Sequence, residues 1–167
     1  MKLTGTAWTF TQDDISTDLI RGKAYSHLSA KEQGAHCLEE VDPGFAAKAQ
    51  PGDFIVAARN FGCGSSTAAH NAVLGLGITA VIAESLGRLF LTNAASAGLW
   101  PLACPGVIAA VKAGDRLEID IDGWRLFNRT SGAELALTPL PDFLREMIAL
   151  GGEKNYLRAR LAREAKA

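Results

Sequence analysis

Cysteine is scarce in this chain. Cys37, Cys63 and Cys104 are the whole complement, odd in number and with no CxxC pair. That leaves no ligand set for a zinc site or a self-contained iron–sulfur cluster, and at least one free thiol suits a reducing compartment. Charge of one sign is lacking too. Seventeen Lys and Arg stand against eighteen Asp and Glu, a net charge of −1, so the basic footprint of a nucleic-acid binder is missing. No apolar run approaches the roughly 20 residues that cross a bilayer. The start, MKLTGTAWTF, lacks a long apolar stretch and a small-residue cleavage site, so no membrane span or signal peptide is expected and the cytoplasm is the expected location.

What is present reads as a soluble globular protein. The chain has 167 residues, 48% of them hydrophobic and 21% charged. This length fits one domain on the usual prior of roughly 100–200 residues, here taken to span 1–167, and it is enough to bury a core without disulfides or metal. Internal repeats and long linkers are lacking.

Residues 3–10 (LTGTAWTF) read as a first strand, and TQDDISTD after it as a polar turn. A helix is expected over 29–40 with Ser29 as N-cap, broken by Asp42-Pro43-Gly44, then a short helical piece, FAAKA, before Gln50-Pro51-Gly52. The middle alternates regularly: an apolar strand at 54–58, the loop NFGCGSS, a helix at 66–76, a strand at 79–83, a helix at 86–97 and a strand at 99–103. Short, wholly apolar strands separated by helices predict a parallel sheet buried on both faces. Polar–apolar alternation at 116–122, followed by 124–128 and 134–138, predicts an antiparallel meander; helices at 142–150 and 154–166 close the chain. The expected fold class is α/β, a parallel β-α-β core with a C-terminal antiparallel β appendage.

The sharpest local feature is Asn60-Phe61-Gly62-Cys63-Gly64-Ser65-Ser66. It joins the carboxyl end of a buried strand to an expected helix start, where open parallel sheets bind ligands. Free backbone N–H groups there favour an anion, the glycines let a ligand approach the backbone, and Ser65 is a candidate nucleophile or base. The residues alone leave two readings open: an anion-binding loop, or a glycine turn with Ser65 or Ser66 as N-cap. A nucleotide loop is disfavoured, because no Gly-Lys-Ser/Thr and no GxGxxG occurs. His70 follows Ser66 by one helical turn, but with no orienting acid it reads as a surface or partly buried histidine rather than part of a Ser/His pair. Asp13, Asp14 and Asp18 read as turn or cap residues, with a substrate-facing acid as the alternative. Arg21 and Lys23 read as solvated charges or as a carboxylate clamp. His27 and His36 are taken as structural. Cys63 is taken as a small packing residue, against a thiol activated at a helix start.

NFGCGSS, followed by TAVIAESLGRLFLTNAASAGLWPL, resembles the small, swivel-domain subunits of the aconitase superfamily, nearest the 3-isopropylmalate dehydratase and homoaconitase small subunits. Asp14-Ile15-Ser16-Thr17-Asp18-Leu19-Ile20 and the stretch from His36-Cys37 to Gly44-Phe45 resemble the same family, and the similarity runs in order from about residue 4 to 150. The resemblance implies a swivelling β/β/α three-layer domain. It implies the smaller subunit of a heteromeric hydro-lyase that dehydrates a 2-hydroxy di- or tricarboxylic acid, as in leucine biosynthesis. No cofactor would sit on this chain; a 4Fe–4S cluster in the large-subunit partner would act as Lewis acid on the leaving hydroxyl. Ser65 matches the family's catalytic base. Ser66, Thr67 and Gly64 fall at substrate-binding positions, and Asn60, Gly62, Cys63, Asp14 and Asp18 at supporting ones. The segment 23–28, with Tyr25, Ser26 and His27, corresponds to the substrate-specificity loop.

The family has Arg-Glu-His after its two serines. This chain has Thr67-Ala68-Ala69-His70. A threonine hydroxyl cannot replace a bidentate arginine, so Arg21 is the expected substitute clamp. The lost arginine keeps open a related hydratase with a different substrate (citramalate, dimethylmalate or homoaconitate) and a non-catalytic, partner-binding swivel domain. The retained serines and glycines favour an enzyme.

Overall fold

The structure, a computed structural model, describes residues 1–64 and 67–165. Its organiser is strand β1 (Lys2–Phe10), which belongs to two half-sheets at once. From Ala7 to Phe10 it pairs in parallel with β2 (Phe54–Ala57), and from Lys2 to Thr6 antiparallel with β5 (Arg116–Asp120). Beyond β2 come β3 (Ala80–Ala83) and β4 (Trp100–Ala103), all parallel; beyond β5 come β6 (Arg125–Asn128) and β7 (Glu134–Ala136), all antiparallel. The order is β4-β3-β2-β1-β5-β6-β7. The antiparallel strands are therefore continuous with the parallel half through β1. The change of partner falls between Thr6 and Ala7, and at nearby Gly5 a Cβ would stand 2.2 Å from the Gly52 carbonyl oxygen.

The period-2 rule places successive side chains of the short parallel strands on opposite faces, and every one of them is needed. Phe54, Val56, Ala80 and Ile82 pack with Leu117, Ile119 and Leu126 of the antiparallel half. Ile55, Ala57, Val81 and Ala83 pack beneath the helices, with Val73, Phe61 and Phe90. The sheet thus curls over one face of its own parallel half while helices cover the other, which is the expected β/β/α layering.

Helices α1 (Thr17–Ile20), α2 (Ala30–Gly34), α3 (Phe45–Lys48), α4 (His70–Gly75) and α5 (Arg88–Ser96) precede β4 or cross back to it. Three differ from expectation. The polar TQDDISTD turn contains α1, whose N-cap Ser16 accepts from the Leu19 N–H. Helix α2 has the expected Ser29 cap, in a capping box with Glu32, but stops at Gly34 rather than running to residue 40. Leu38 instead takes φ +57° and donates its N–H to the Ile20 carbonyl, which ties this segment down behind α1. Helix α4 begins at His70, four residues later than expected. A helix absent from the sequence reading, α6 (Val107–Ala110), starts where the Glu84 carboxylate accepts from the Gly106 and Ile108 N–H groups at 2.7 and 2.9 Å. Helices α7 (Asp142–Ala149) and α8 (Glu153–Glu164) end the chain, α7 packing on α5 and α8 lying on the surface with no buried residue. Among the described residues no helix is long and apolar enough to cross a membrane.

Candidate active site

At the carboxyl ends of β1 and β2 the two chains stay side by side after the sheet ends. The Arg59 carbonyl accepts from the Asp14 N–H, the Gly62 N–H donates to the Ile15 carbonyl, and the Thr17 N–H donates to the Cys63 carbonyl, at 2.8–2.9 Å. On the far side, the Phe61 N–H donates to the Ser85 carbonyl and the Gly87 N–H to the Phe61 carbonyl. The glycine loop is therefore held between two neighbouring segments. Its side chains add to this: Asn60 Nδ2 donates to Asp14 Oδ1 at 2.7 Å, and the Asn60 N–H donates to Ser85 Oγ at 2.8 Å. Asp13 accepts from the Arg59 N–H and, through Oδ2, from Nε and Nη2 of the same guanidinium. That charge-assisted grip holds the Asp13 carboxyl below the usual carboxylate range.

The glycines are there for space. Gly62 has φ +77°, and a Cβ would fall 2.3 Å from Phe90 Cγ. At Gly87 a Cβ would fall 2.4 Å from the Gly62 carbonyl oxygen. Asp14 and Asn60 also occupy the left-handed region, with φ +57° and +59°, a conformation Asx residues tolerate better than most. Gly64, φ +98°, is exposed and leaves the loop beside Ser16 and Thr17.

Ser65 and Ser66 lie outside the described residues. Thr67 and Ala68 resume the chain without regular structure, the Ala69 N–H donates to the Thr67 carbonyl at 2.8 Å, and α4 starts at His70. The expectation of a helix N-terminus immediately after the serines is therefore corrected: α4 starts only at His70. The buried cation among the described residues is Arg21. This residue closes α1 and is 4% exposed. Its Nε is buried without a hydrogen-bond partner, and among the described residues no carboxylate pairs with its guanidinium. Asp18, one turn earlier, gives its Oδ2 to Lys23 Nζ at 3.2 Å instead. Arg21 is thus not a solvated loop charge. Thr67 Oγ1 and His70 Nδ1 are buried without partners in the same way. Burial, and then the Arg21 charge, push the His70 imidazole below its ordinary pKa.

Other candidates have surroundings of a different kind. Tyr25, in a single turn of 3₁₀ helix at Lys23–Tyr25, stacks on His36 with ring centroids 3.7 Å apart, and its hydroxyl bonds to Glu39. His36 Nδ1 meets the same Glu39 at 2.8 Å. Cys63 is half-buried, and burial, followed by the Asp14 charge, raises its thiol pKa; it is not an activated thiolate. One participant was missed in the sequence: the Asp13–Arg59 brace, whose partners stand 46 positions apart with no motif to join them. His70 is half-buried, within its expected range. Among the described residues no group of three or more His, Cys, Asp or Glu gathers to hold a metal ion.

The family model for the aconitase C-terminal domain matches residues 3–106. The 3-isopropylmalate dehydratase small subunit of Thermodesulfovibrio yellowstonii is 40% identical over 166 residues, covering 98% of each chain. This chain belongs to that small-subunit family. The crystal structure of a 3-isopropylmalate dehydratase from Methanocaldococcus jannaschii matches it with a TM-score of 0.93 at 36% identity, covering 99% of both chains. The 2,3-dimethylmalate dehydratase small subunit of Eubacterium barkeri is 38% identical over 95% of this chain and 98% of its own. Within the aconitase superfamily, then, the similar small subunits carry more than one substrate name.

Proposed function

We propose that the chain is the small subunit of a heteromeric hydro-lyase that dehydrates 3-isopropylmalate, with Ser65 as base and Arg21 as carboxylate anchor. The observation that carries the reading is the buried Arg21 guanidinium, which has no carboxylate partner among the described residues. Burying an unpaired charge is costly, and a substrate carboxylate relieves that cost with charge-assisted hydrogen bonds. Such a site is charged for an acid and closed to a neutral analogue.

In the dehydration, Ser65 takes the proton from the carbon next to a carboxylate. The C–H electron pair becomes the new C=C bond, and the C–O bond on the neighbouring carbon breaks. The hydroxyl leaves as water with a proton drawn from solvent, and Ser65 returns the proton it took to solvent, so the net change is the loss of one water. A 4Fe–4S cluster on the large subunit supplies the Lewis acid for that oxygen. This chain's part is to hold the acid at Arg21, and to hold Ser65 through a loop fastened at Asn60, Gly62 and Cys63. Such fastening sets the distance between base and substrate, which is worth more than raw affinity in a proton abstraction.

The test is anaerobic co-expression with a large-subunit relative and a panel of 3-isopropylmalate, citramalate, 2,3-dimethylmalate, homocitrate and citrate, followed by absorbance of the unsaturated product. Turnover of 3-isopropylmalate, abolished by Ser65→Ala in an intact complex, is the expected result. A cluster-loaded complex that turns over none of these acids contradicts the reading. A fully active Ser65→Ala heteromer removes Ser65 as the base.

A further inference from the structure

Most polar clusters in this molecule are closed. Glu39 is shared by Tyr25 and His36. The cleft of about 410 Å³ lined by Thr11, Asp13, Arg59, Glu84 and Ile108 contains only an arginine already gripped by Asp13 and a carboxylate already capping α6. Asn128 donates to Asp115 and to the Ala110 carbonyl. The Leu157–Leu161 stripe on α8 is exposed, and nothing in the structure shows what covers it.

The exceptions converge. Buried polar atoms without a hydrogen-bond partner occur in Asp18, Arg21, Gln33, Thr67, His70 and Glu118. Asp18, Gln33 and Glu118 each engage a neighbour through another atom: Lys23, the Leu28 carbonyl and Arg129. Arg21, Thr67 and His70 have no side-chain hydrogen bond to any described residue. Native proteins leave few buried groups in this state, and each asks for an explanation. Arg21 closes α1, His70 opens α4 and Thr67 stands three residues before it; α1 and α4 pack against each other. Thr67 and His70 are three residues apart, and the charge of Arg21 acts on His70.

We propose that His70 and Thr67 complete, with Arg21, a seat for one carboxylate of the substrate, the imidazole Nδ1–H and the threonine hydroxyl donating to the oxygens whose charge Arg21 balances. The inference rests on the acid-binding reading above and makes His70 a binding residue that neither composition nor motif assigned. It also sets the charge of the seat. Burial and Arg21 keep His70 neutral near pH 7 in the free chain, so the seat carries a single positive charge and takes a single carboxylate. The other carboxylate of a dicarboxylic substrate is met elsewhere in the heteromer. Of the charged groups on elements packed against α4 — Asp18 on α1, Lys31 and Glu32 on α2, Arg88 on α5, with Arg21 closing α1 — Arg21 is the one whose charge bears on the imidazole. A bound carboxylate offsets that charge and accepts from the ring. Both effects favour the imidazolium, so binding draws a proton to His70.

The experiment is NMR titration of the assembled heteromer with ¹³C-histidine confined to this chain, whose three histidines are His27, His36 and His70. The probe is 3-isopropylmalate above its KM, with sodium chloride at matched ionic strength as control. The His70 midpoint should lie below the ordinary histidine value and rise by about one pH unit or more with the acid, and Arg21→Gln should remove that rise. In kinetics, His70→Asn should raise KM roughly tenfold with kcat nearly unchanged, matching the loss of one charge-assisted bond. A His70 midpoint that the acid leaves in place, in a heteromer that still turns over, overturns this inference while the hydro-lyase reading stands. A heteromer that turns over no acid defeats the reading itself.

Discussion

His70 and the three cysteines show how burial, more than residue type, sets chemistry in this chain. The His70 imidazole has a folded-state pKa below its unfolded value, with burial as the larger cause. The unfolded chain therefore binds the extra proton first. The contribution of His70 to stability is complete above its unfolded pKa of about 6.5 and is lost as pH falls through that value towards the folded one. Thermal melts of the unliganded chain between pH 7.5 and 5 should show that loss, and His70→Asn should flatten it; an unchanged slope in the variant would place the effect in other groups. Burial also pushes the Cys37 thiol far up and Cys104 up to about 12, with Glu84 adding to the latter. Iodoacetamide at pH 8 should therefore label native chain at Cys63 alone, more slowly than free cysteine, and all three sites in denaturant. Native labelling at Cys37 would contradict the packing described. At this scale the motif residues Asn60, Gly62 and Cys63 were legible, because a glycine loop after an apolar strand is a local pattern. The condition of Arg21 was not. Whether an arginine after a polar turn is solvated or buried depends on what the rest of the chain packs against it, which the local pattern does not locate.

Short elements, held by contacts distant in sequence, position the loop. Gly75 in α4 faces α2 so closely that a Cβ would stand 1.8 Å from the Ala30 carbonyl oxygen, and Gly34 faces Gly75 in turn. Gly75→Ala should therefore force the two helices apart, costing about 1–3 kcal/mol as overpacking does. It should also weaken acid binding in the heteromer, since α4 carries His70; denaturant melts and KM check the two parts. Gly62→Ala should cost a similar amount, through Phe90 and the positive φ. Strands β2, β3 and β4 were legible as apolar runs because they are buried on both faces. The ends of α2 and α4 were not, since a close helix crossing through two glycines stops one and a fastened loop delays the other. Helix α6 had no local signal at all: its cap is a carboxylate more than 20 residues upstream.

On the scale of the whole molecule, β1 carries the design. Its two ends belong to the parallel and antiparallel halves, so the halves fold over a shared core while the helical face is left to hold the loop. The parallel alternation and the meander were each readable from periodicity. Their union was not, because nothing in β1 itself says that it changes partners between Thr6 and Ala7. The fold puts the carboxyl ends of β1 and β2, α1 and the start of α4 around one loop, and leaves a buried arginine with no carboxylate partner among the described residues. The most direct test of that account is Arg21→Gln in the reconstituted heteromer, with KM and kcat for 3-isopropylmalate measured beside the melting temperature of the free chain. If Arg21 waits for a substrate carboxylate, KM rises about 10- to 100-fold, the worth of a charge-assisted bond, kcat changes little, and the free chain melts no lower than the parent. Unchanged KM, or a free chain that melts well below the parent, would mean that Arg21 holds the fold and that the acid is held elsewhere.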